Sequence, residues 1–196
     1  MDSPGDNGST ASPRPDARTR IVGTAYALFS TYGIRAIGVD RVIAESAVAK
    51  TTLYHHFPSK DALVLAFLLE RRRRWTVDWL QRTVERLAPD PGDRLLAVFD
   101  AFAEWFRRPD YESCAFIRTL HEVEAGPVRE AAIRELDEVR RLVQTWATAA
   151  KVRDAERVAY QIQTLMLGAI VSAARGDNDA AERARDAAAL VISAAR

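Results

Sequence analysis

Apolar residues recur along this chain at the three- and four-residue spacing of amphipathic helices, from about residue 16 to the C-terminal end. In the first segment one apolar stripe is predicted, and Gly33 marks the end of the helix; the stripe consists of Ile21, Ala25, Leu28, Phe29 and Tyr32. Alternating Val, Ile and Thr runs, which would indicate strands, are scarce. The pattern therefore predicts an all-α protein.

Proline and glycine divide this helical pattern into about nine segments. Pro58 cannot continue a helix, whereas Ser59 is a good N-cap and Asp61 suits the positive end of the helix that follows. The predicted helices cover residues 16–32, 39–46, 50–57, 60–87, 92–107, 114–124, 127–151, 154–176 and 178–195.

The second and third segments are short and are separated by a tight turn. A short helix, a turn and a second short helix form the layout of a helix-turn-helix, whose second helix enters the major groove of DNA. The inward positions Val42, Ile43, Leu53 and Phe57 can close a small core against the first helix. A DNA-binding unit of three helices is therefore predicted near the N-terminus.

The net charge of +1 conceals an uneven distribution. Residues 14–60 carry seven basic and three acidic side chains, a net charge of +4, and the rest of the chain is net negative. Affinity for duplex DNA comes largely from basic and amide contacts to its backbone. The basic excess therefore lies where the helix-turn-helix needs it.

Together these features resemble the tetracycline-repressor (TetR) family of one-component bacterial regulators. The order of a helix, a helix-turn-helix, Leu-Tyr-x-x-Phe and Ser-Lys-x-x-Leu carries the resemblance over Thr19 to Phe67. The segment Cys114 to Phe116 and the last two helices also look like one branch of the family's ligand-binding domain. The matching residues are Ala25, Leu28, Phe29, Gly33, Val39, Ile43, Ala44, Val48, Thr52, Leu53, Tyr54, Phe57, Lys60 and Leu63.

The resemblance implies a TetR-like fold with an N-terminal DNA-binding domain and a C-terminal helical domain for effector binding and dimerisation. We expect a disordered tail over residues 1–15, the DNA-binding domain over 16–60 and the effector-binding and dimerisation domain over 61–196. Two residues depart from the family pattern. Ala47 stands in the turn where the family often has Gly, and Ala49 replaces the usual Ser or Thr cap of the third helix.

Candidate DNA-binding residues follow from how a helix lies in the major groove, because its N-terminal side chains meet base edges. We expect Lys50, Thr51, Thr52 and His55 to read bases, with Lys50 reaching guanine acceptors. The resemblance implies phosphate contacts for Tyr54 and His56. Lys60 adds charge to the exposed amides of a helix start. Arg18, Arg20 and Arg41 are expected to make further backbone contacts.

Aromatic residues are concentrated after residue 61, at spacings that put several of them on one helix face. Such faces can enclose an apolar pocket for a small effector or can form a plain core. The resemblance favours the pocket. The expected ligand-binding residues are Trp75, Trp79, Phe99, Phe102, Phe106, Cys114, Phe116, His121, Trp146 and Met166. The run Arg71 to Arg74 points around a helix and is interpreted as a solvated, salt-bridged surface.

The last two helices are apolar on several faces and must therefore be covered on several faces. This pattern, and the resemblance, predict a homodimer built on a four-helix interface. Two-fold symmetry would present two recognition helices to a palindromic operator. The expected interface residues are Ile162, Leu165, Ala169, Ser172, Ala188, Val191, Ile192 and Ala195.

Other classes of protein are disfavoured by the sequence. No apolar run approaches the length of a membrane span and the N-terminus lacks a signal-peptide pattern, so a cytoplasmic protein is expected. No metal motif or phosphate loop is present, and we expect no cofactor. A cysteine hydrolase using Cys114 with His121 is a remote alternative. A scaffolding dimer would not explain the basic excess.

The sequence thus predicts a ligand-responsive, sequence-specific DNA-binding regulator and not an enzyme. The most direct form is a repressor that a small apolar or amphipathic effector releases from its operator. A constitutive DNA-binding regulator without an effector is the alternative.

Overall fold

The structure is a computed structural model that describes residues 15–109 and 111–196. The predicted tail over residues 1–15 therefore lies almost entirely outside the described residues, as does Arg14. Within the described residues the chain is all-helical, as predicted. Its nine main helices are α1 (Ala17–Tyr32), α2 (Val39–Ser46), α3 (Lys50–His56), α4 (60–87), α5 (Arg94–Phe106), α6 (Ala115–Glu122), α7 (Pro127–Ala149), α8 (Ala155–Ala174) and α9 (Ala180–Ala194).

The first three helices pack around a small apolar centre. The Asp16 carboxylate caps α1 by accepting a hydrogen bond from the Thr19 backbone N–H at 2.7 Å. Gly33 ends α1 with a positive φ of 85°, and its N–H donates to the Phe29 carbonyl. Leu53 of α3 is fully buried against this centre. The helix-turn-helix is thereby held on a rigid support.

The turn between α2 and α3 has a strained backbone at Ala47. Ala47 has φ 51° and ψ 48°, the left-handed conformation that costs an L-residue about 1–2 kcal/mol. Ala49 is the N-cap of α3 and makes no side-chain capping bond. Both features reduce the stability of the helix-turn-helix without removing a group that could contact DNA.

We expect Ala47→Gly to raise the free energy of unfolding by about 0.5–1 kcal/mol, since glycine relieves the strain but adds freedom to the unfolded chain. Urea denaturation measures the change. Ala44→Gly is the matched control, because Ala44 is exposed inside α2 and glycine there should cost about 1 kcal/mol. Equal destabilisation by both substitutions would contradict the left-handed assignment.

Helix α4 is one continuous helix with a change of hydrogen-bonding register. The Ser59 hydroxyl caps its start by accepting from the Ala62 N–H at 3.1 Å. An α-helical part, Lys60–Arg71, passes into a π-helical segment, Arg72–Gln81, and returns to α-helix over Arg82–Leu87. The backbone stays helical at both junctions. A π-helical stretch of this length is rare, and such segments often occur at functional sites.

The C-terminal helices surround a core rich in aromatic side chains. Helices α8 and α9 pack on each other, α9 packs on α5, and α7 packs on both α8 and α4. Phe99 and Phe102 are fully buried, and Trp146 is 2% exposed. The buried apolar residues form one continuous cluster from α1 to α9. The domain boundary at residue 60 stays a prediction.

Helix α6 joins the three N-terminal helices to the rest of the chain. The Arg118 guanidinium donates to the Ser30 carbonyl at 2.6 Å, near the C-terminal end of α1. The Glu122 carboxylate accepts from the Arg35 backbone N–H at 2.8 Å, in the loop between α1 and α2. Helix α6 therefore helps to fix the position of this loop.

One acidic side chain is buried between α7 and α4. Glu135 is 6% exposed, its Oε2 makes no hydrogen bond, and its nearest cation is Arg72 at 3.9 Å. Desolvation raises the pKa of this carboxyl above its usual 4.5. The folded state thus holds the proton more tightly than the unfolded state, so stability falls as pH rises from 4.5 through the raised pKa.

We expect Glu135→Met to raise the free energy of unfolding by about 1–2 kcal/mol at pH 8, because it removes a poorly compensated buried charge. The gain should shrink as the pH is lowered towards 4.5, because more of the wild-type carboxyl is then protonated in the folded state than in the unfolded state. Denaturation at both pH values measures this. Glu138→Met serves as control, since Glu138 is 38% exposed and paired with Arg141. A gain that does not depend on pH would refute the assignment.

Candidate nucleic-acid interface and ligand site

One face of α3 presents polar side chains to solvent along its whole length. Lys50, Thr51 and His55 are exposed, and Tyr54 is 42% exposed, so Tyr54 is not packed into the core. Thr52 and His56 are half-buried. The His55 and His56 rings lie 5.3 Å apart, edge to face. The side chains predicted to meet DNA thus share one exposed surface, with Leu53 buried behind them.

Two exposed ion pairs lie beside this surface. Lys50 Nζ is 3.4 Å from Asp40 Oδ1, and both side chains are more than half exposed. Arg41 pairs with Glu45 at 2.8 Å, and its guanidinium lies 4.5 Å from the centre of the Tyr32 ring. Ion pairs this exposed contribute little in water, so DNA phosphates and bases can replace Asp40 and Glu45 as partners.

The remaining basic candidates lie at the edges of the same surface. The Arg18 guanidinium is 5.6 Å from the Phe57 ring centre and stays exposed. Arg20 is half-buried, and its guanidinium donates to the Pro15 carbonyl at 3.0 Å. Fewer of its N–H groups are therefore free to contact DNA than the sequence predicted. Lys60 occupies the first position of α4, where free backbone amides favour an anion.

A cleft opens between α1, α4 and the end of α5, and we call it the tryptophan cleft. Trp75, Trp79 and Trp105 form a triangle with ring centres 5.2–5.4 Å apart. The cleft has a volume of about 260 Å³. It is lined by Tyr26, Arg71, Arg74, Trp75, Trp79, Trp105, Arg108 and Glu112.

A second, smaller cavity also has Trp75 in its lining. It has a volume of about 10 Å³, room for about one water molecule. Cys114, Phe116 and Met166 are among its lining residues. Burial raises the pKa of the Cys114 thiol above its usual 9.0, which makes it a poor nucleophile. Trp75 therefore lines both spaces.

The structure places half of the predicted ligand-binding residues outside these two spaces, and the ligand-binding role of the whole set stays a prediction. Phe99, Phe102 and Trp146 are packed core residues, and Phe106 belongs to the aromatic cluster beside them. His121 is exposed on α6. These five line neither the cleft nor the cavity. Their apolar helical spacing reflected packing, for which it is the commoner cause.

The sequence interpretation of the arginine run is correct for three residues and wrong for one. Arg72, Arg73 and Arg74 are exposed and ion-paired, but Arg71 is 6% exposed and points inward. A signal for its burial exists, since Arg71 lies four residues from both Phe67 and Trp75 on one face of the helix. Tyr26, Trp105 and Glu112 were also missed, because only the fold brings them together.

The residues predicted for the dimer interface differ in exposure, and their role stays a prediction. Ile162, Ala169, Ala188 and Ile192 are at most 6% exposed within the single chain, so they hold α8 and α9 to the core. These four side chains have little surface left for a second copy. The other four predicted residues are half-buried: Leu165, Ser172, Val191 and Ala195. The exposed apolar side chains of these helices are Tyr160, Val171 and Leu190.

Comparison with known proteins decides the family. The model of bacterial regulatory proteins of the tetR family matches residues 21–67. The model of the tetracyclin repressor-like C-terminal domain matches residues 91–188, half of the chain. The chain belongs to the TetR family. It is therefore a DNA-binding transcriptional regulator and not an enzyme, which removes the hydrolase alternative.

Individual TetR-family and helix-turn-helix relatives support this assignment. A TetR-family transcriptional regulator from Streptomyces coelicolor superposes with a TM-score of 0.78 at 27% identity, covering 91% of this chain and 95% of that one. The transcriptional regulator UidR of Escherichia coli is 28% identical over 116 residues, 53% of this chain and 58% of its own length. The transcriptional activator FasR of Mycolicibacterium smegmatis is 32% identical over 93 residues, 47% of this chain and 42% of its own.

The chain thus spans about half the length of the curated relatives it matches. No helix among the described residues of this TetR-family protein is long and apolar enough to cross a membrane. Within residues 15–109 and 111–196, no group of three or more His, Cys, Asp and Glu side chains is placed to hold a metal ion.

Proposed function

We propose that this TetR-family protein is a cytoplasmic, dimeric, ligand-responsive repressor that leaves a palindromic operator when a small effector binds at Trp75. The observation that carries the proposal is the continuity of α4. One helix begins with Lys60 beside α3 and passes through Trp75 and Trp79 at the tryptophan cleft. A displacement of α4 at the cleft must therefore also move its N-terminal end.

The proposed reading roles rest on the exposure of α3. Lys50 and Thr51 present exposed side chains at the N-terminal end of α3, and His55 presents one from the same face a turn later, as base contacts require. Tyr54, His56 and Lys60 flank them, where hydrogen bonds to phosphate fix the position of the helix. Thr52 is half-buried and is assigned a smaller part.

The proposed dimer uses the outward faces of α8 and α9. Leu190 is 74% exposed and Val171 is 49% exposed, with Gly168 and Thr164 also exposed on α8. Covering these faces with a second copy would bury apolar surface that the single chain leaves in water. A two-fold dimer then presents two copies of α3 to half-sites about 34–36 Å apart, or a multiple of that.

Release of DNA requires that the effector bind a DNA-incompetent state more tightly than the DNA-competent one. Such coupling between two sites is typically about 1–3 kcal/mol. Two routes connect the tryptophan cleft to the DNA-binding domain in the structure: α4 itself, and Tyr26 of α1, whose hydroxyl accepts a hydrogen bond from Arg71 at 3.1 Å.

The test begins with selection of bound fragments from genomic DNA by the purified full chain. We expect a palindrome with the spacing given above, and binding that weakens steeply with salt. Small molecules are then screened for weakening of operator affinity while the dimer stays folded.

Absence of any such molecule would leave a constitutive DNA-binding regulator. Recovery of single, unpaired half-sites would contradict the dimer. Since FasR is named an activator, a reporter fused to the recovered operator completes the test. Reporter activity that falls when the gene for this protein is deleted would contradict the repressor role.

A further inference from the structure

We infer that the tryptophan cleft binds a small aromatic carboxylate, whose carboxylate group takes the place of Glu112 at Arg71. The inference rests on the proposed function, because it names the chemical class of the effector for that same site. It is narrower than the apolar or amphipathic effector expected from the sequence. The charge and the aromatic lining of the cleft both support it.

The charge of the cleft favours an anion. Among the described residues, the guanidinium groups of Arg71, Arg74 and Arg108 line it, together with the carboxylate of Glu112. Arg74 is partly neutralised by Glu70, whose pKa is lowered to about 2 by hydrogen bonds from Arg73 and Arg74. The charge argument therefore rests on Arg71, the buried cation of this lining.

Arg71 is the cation best placed to hold the ligand. It is 6% exposed, and its hydrogen bonds go to neutral oxygens, the Tyr26 hydroxyl at 3.1 Å and the Ser113 carbonyl at 3.4 Å. Its anionic partner Glu112 is 3.7 Å away, beyond the usual range of an N–H···O bond. A buried guanidinium with one loose counter-ion is a good receptor for a carboxylate, which it can bind through two parallel N–H donors.

The walls of the cleft select a flat apolar body. The three tryptophan rings approach one another at 5.2–5.4 Å, a spacing at which aromatic rings interact favourably. Trp75 is 8% exposed, and its indole Nε1 is a buried donor without a hydrogen-bond partner. At about 260 Å³ the cleft has room for one or two fused rings, and a large amphiphile would not fit.

Glu112 competes with a ligand carboxylate for Arg71. Its side chain is 32% exposed, so it can turn into solvent when a ligand carboxylate replaces it. Its neighbour Tyr111 donates a hydrogen bond to the Ile170 carbonyl of α8 at 2.7 Å. Displacement of Glu112 therefore acts on a short segment that is tied to one of the helices proposed to form the dimer.

The test is calorimetric titration of the full chain, without DNA, with sodium 1-naphthoate and with its neutral analogue 1-naphthamide. We expect naphthoate to bind about tenfold more tightly, the effect of one charge-assisted hydrogen-bonded contact. Arg71→Met should remove this preference. Arg82→Met is the matched control, since Arg82 is an exposed arginine of the same helix outside the cleft and should leave the preference unchanged.

Because Arg71→Met replaces a buried residue and can fail to fold, a second variant tests the competition directly. Glu112→Gln should tighten naphthoate binding about threefold to tenfold and leave naphthamide unchanged, a gain that misfolding cannot produce. Equal affinities for naphthoate and naphthamide, or no gain with Glu112→Gln, would overturn the inference. Operator affinity is measured separately. Charge-selective binding that leaves operator affinity unchanged would refute the proposed effector response and leave the carboxylate site standing.

Discussion

Replacing Lys50 with alanine is expected to lower affinity for the preferred operator by about tenfold to a hundredfold while leaving binding to unrelated DNA almost unchanged. Lys50 is exposed at the first position of α3. Its ion pair with Asp40 is exposed to solvent and is therefore too weak to prevent a contact with DNA. The loss should be concentrated at one guanine of each half-site. Binding assays against operators substituted one base pair at a time measure it.

Lys60→Ala is the comparison that separates contacts to base edges from contacts to the phosphate backbone. Lys60 starts α4 and is proposed to contact phosphate, so its loss should weaken binding to every sequence and reduce the slope of log affinity against log salt by about one. A Lys50 variant that weakened all sequences equally, with the same change in salt slope, would show that Lys50 also contacts only the backbone.

The second large effect is expected at Gly33, where Gly33→Ala should lower the free energy of unfolding by about 2–4 kcal/mol. Gly33 has φ 85° and ψ 160°, a conformation essentially confined to glycine. A Cβ there would also overlap Glu122 Oε1. To make room, Glu122 must give up its hydrogen bond to the Arg35 N–H. Thermal and urea denaturation measure the loss.

Two variants isolate the contributions at Gly33. Gly23→Ala in α1 meets no atom within 4 Å and should stabilise the helix by up to about 1 kcal/mol. In the double variant Gly33→Ala with Glu122→Ala the overlap is gone, so the combined loss should be smaller than the sum of the single losses. Strict additivity would show that Glu122 does not touch Gly33.

The helix boundaries could be predicted from the sequence because local chemistry sets them. Gly33 ends α1, Pro58 and Ser59 separate α3 from α4, and Pro127 opens α7, each through a backbone property of that residue alone. The exposed surface of α3 could also be predicted, because it follows from helical geometry. Once Leu53 is assigned to the core, helical geometry fixes which neighbours face outwards.

The rest of the site depended on tertiary contacts that helical spacing does not encode. Ile162 and Leu190 are both apolar residues on apolar helices, but the first packs inside the chain and the second is open to solvent. Phe102 and Trp79 likewise belong to aromatic stripes, and only Trp79 borders open space. The spacing of apolar residues predicts that a helix face is covered. It does not show whether the same chain or a second molecule covers that face.

The π-helical segment Arg72–Gln81 gives α4 a mechanical property that a uniform α-helix lacks. Its hydrogen bonds span five residues instead of four, so the register can shift by one residue without breaking the helix. Such a shift turns everything beyond it by about 100° around the helix axis and advances it by about 1.5 Å. Trp75 and Trp79 lie inside the segment, and Lys60 lies on one side of it. A one-residue register shift inside the segment would therefore rotate Lys60 about the helix axis relative to the helix beyond Gln81.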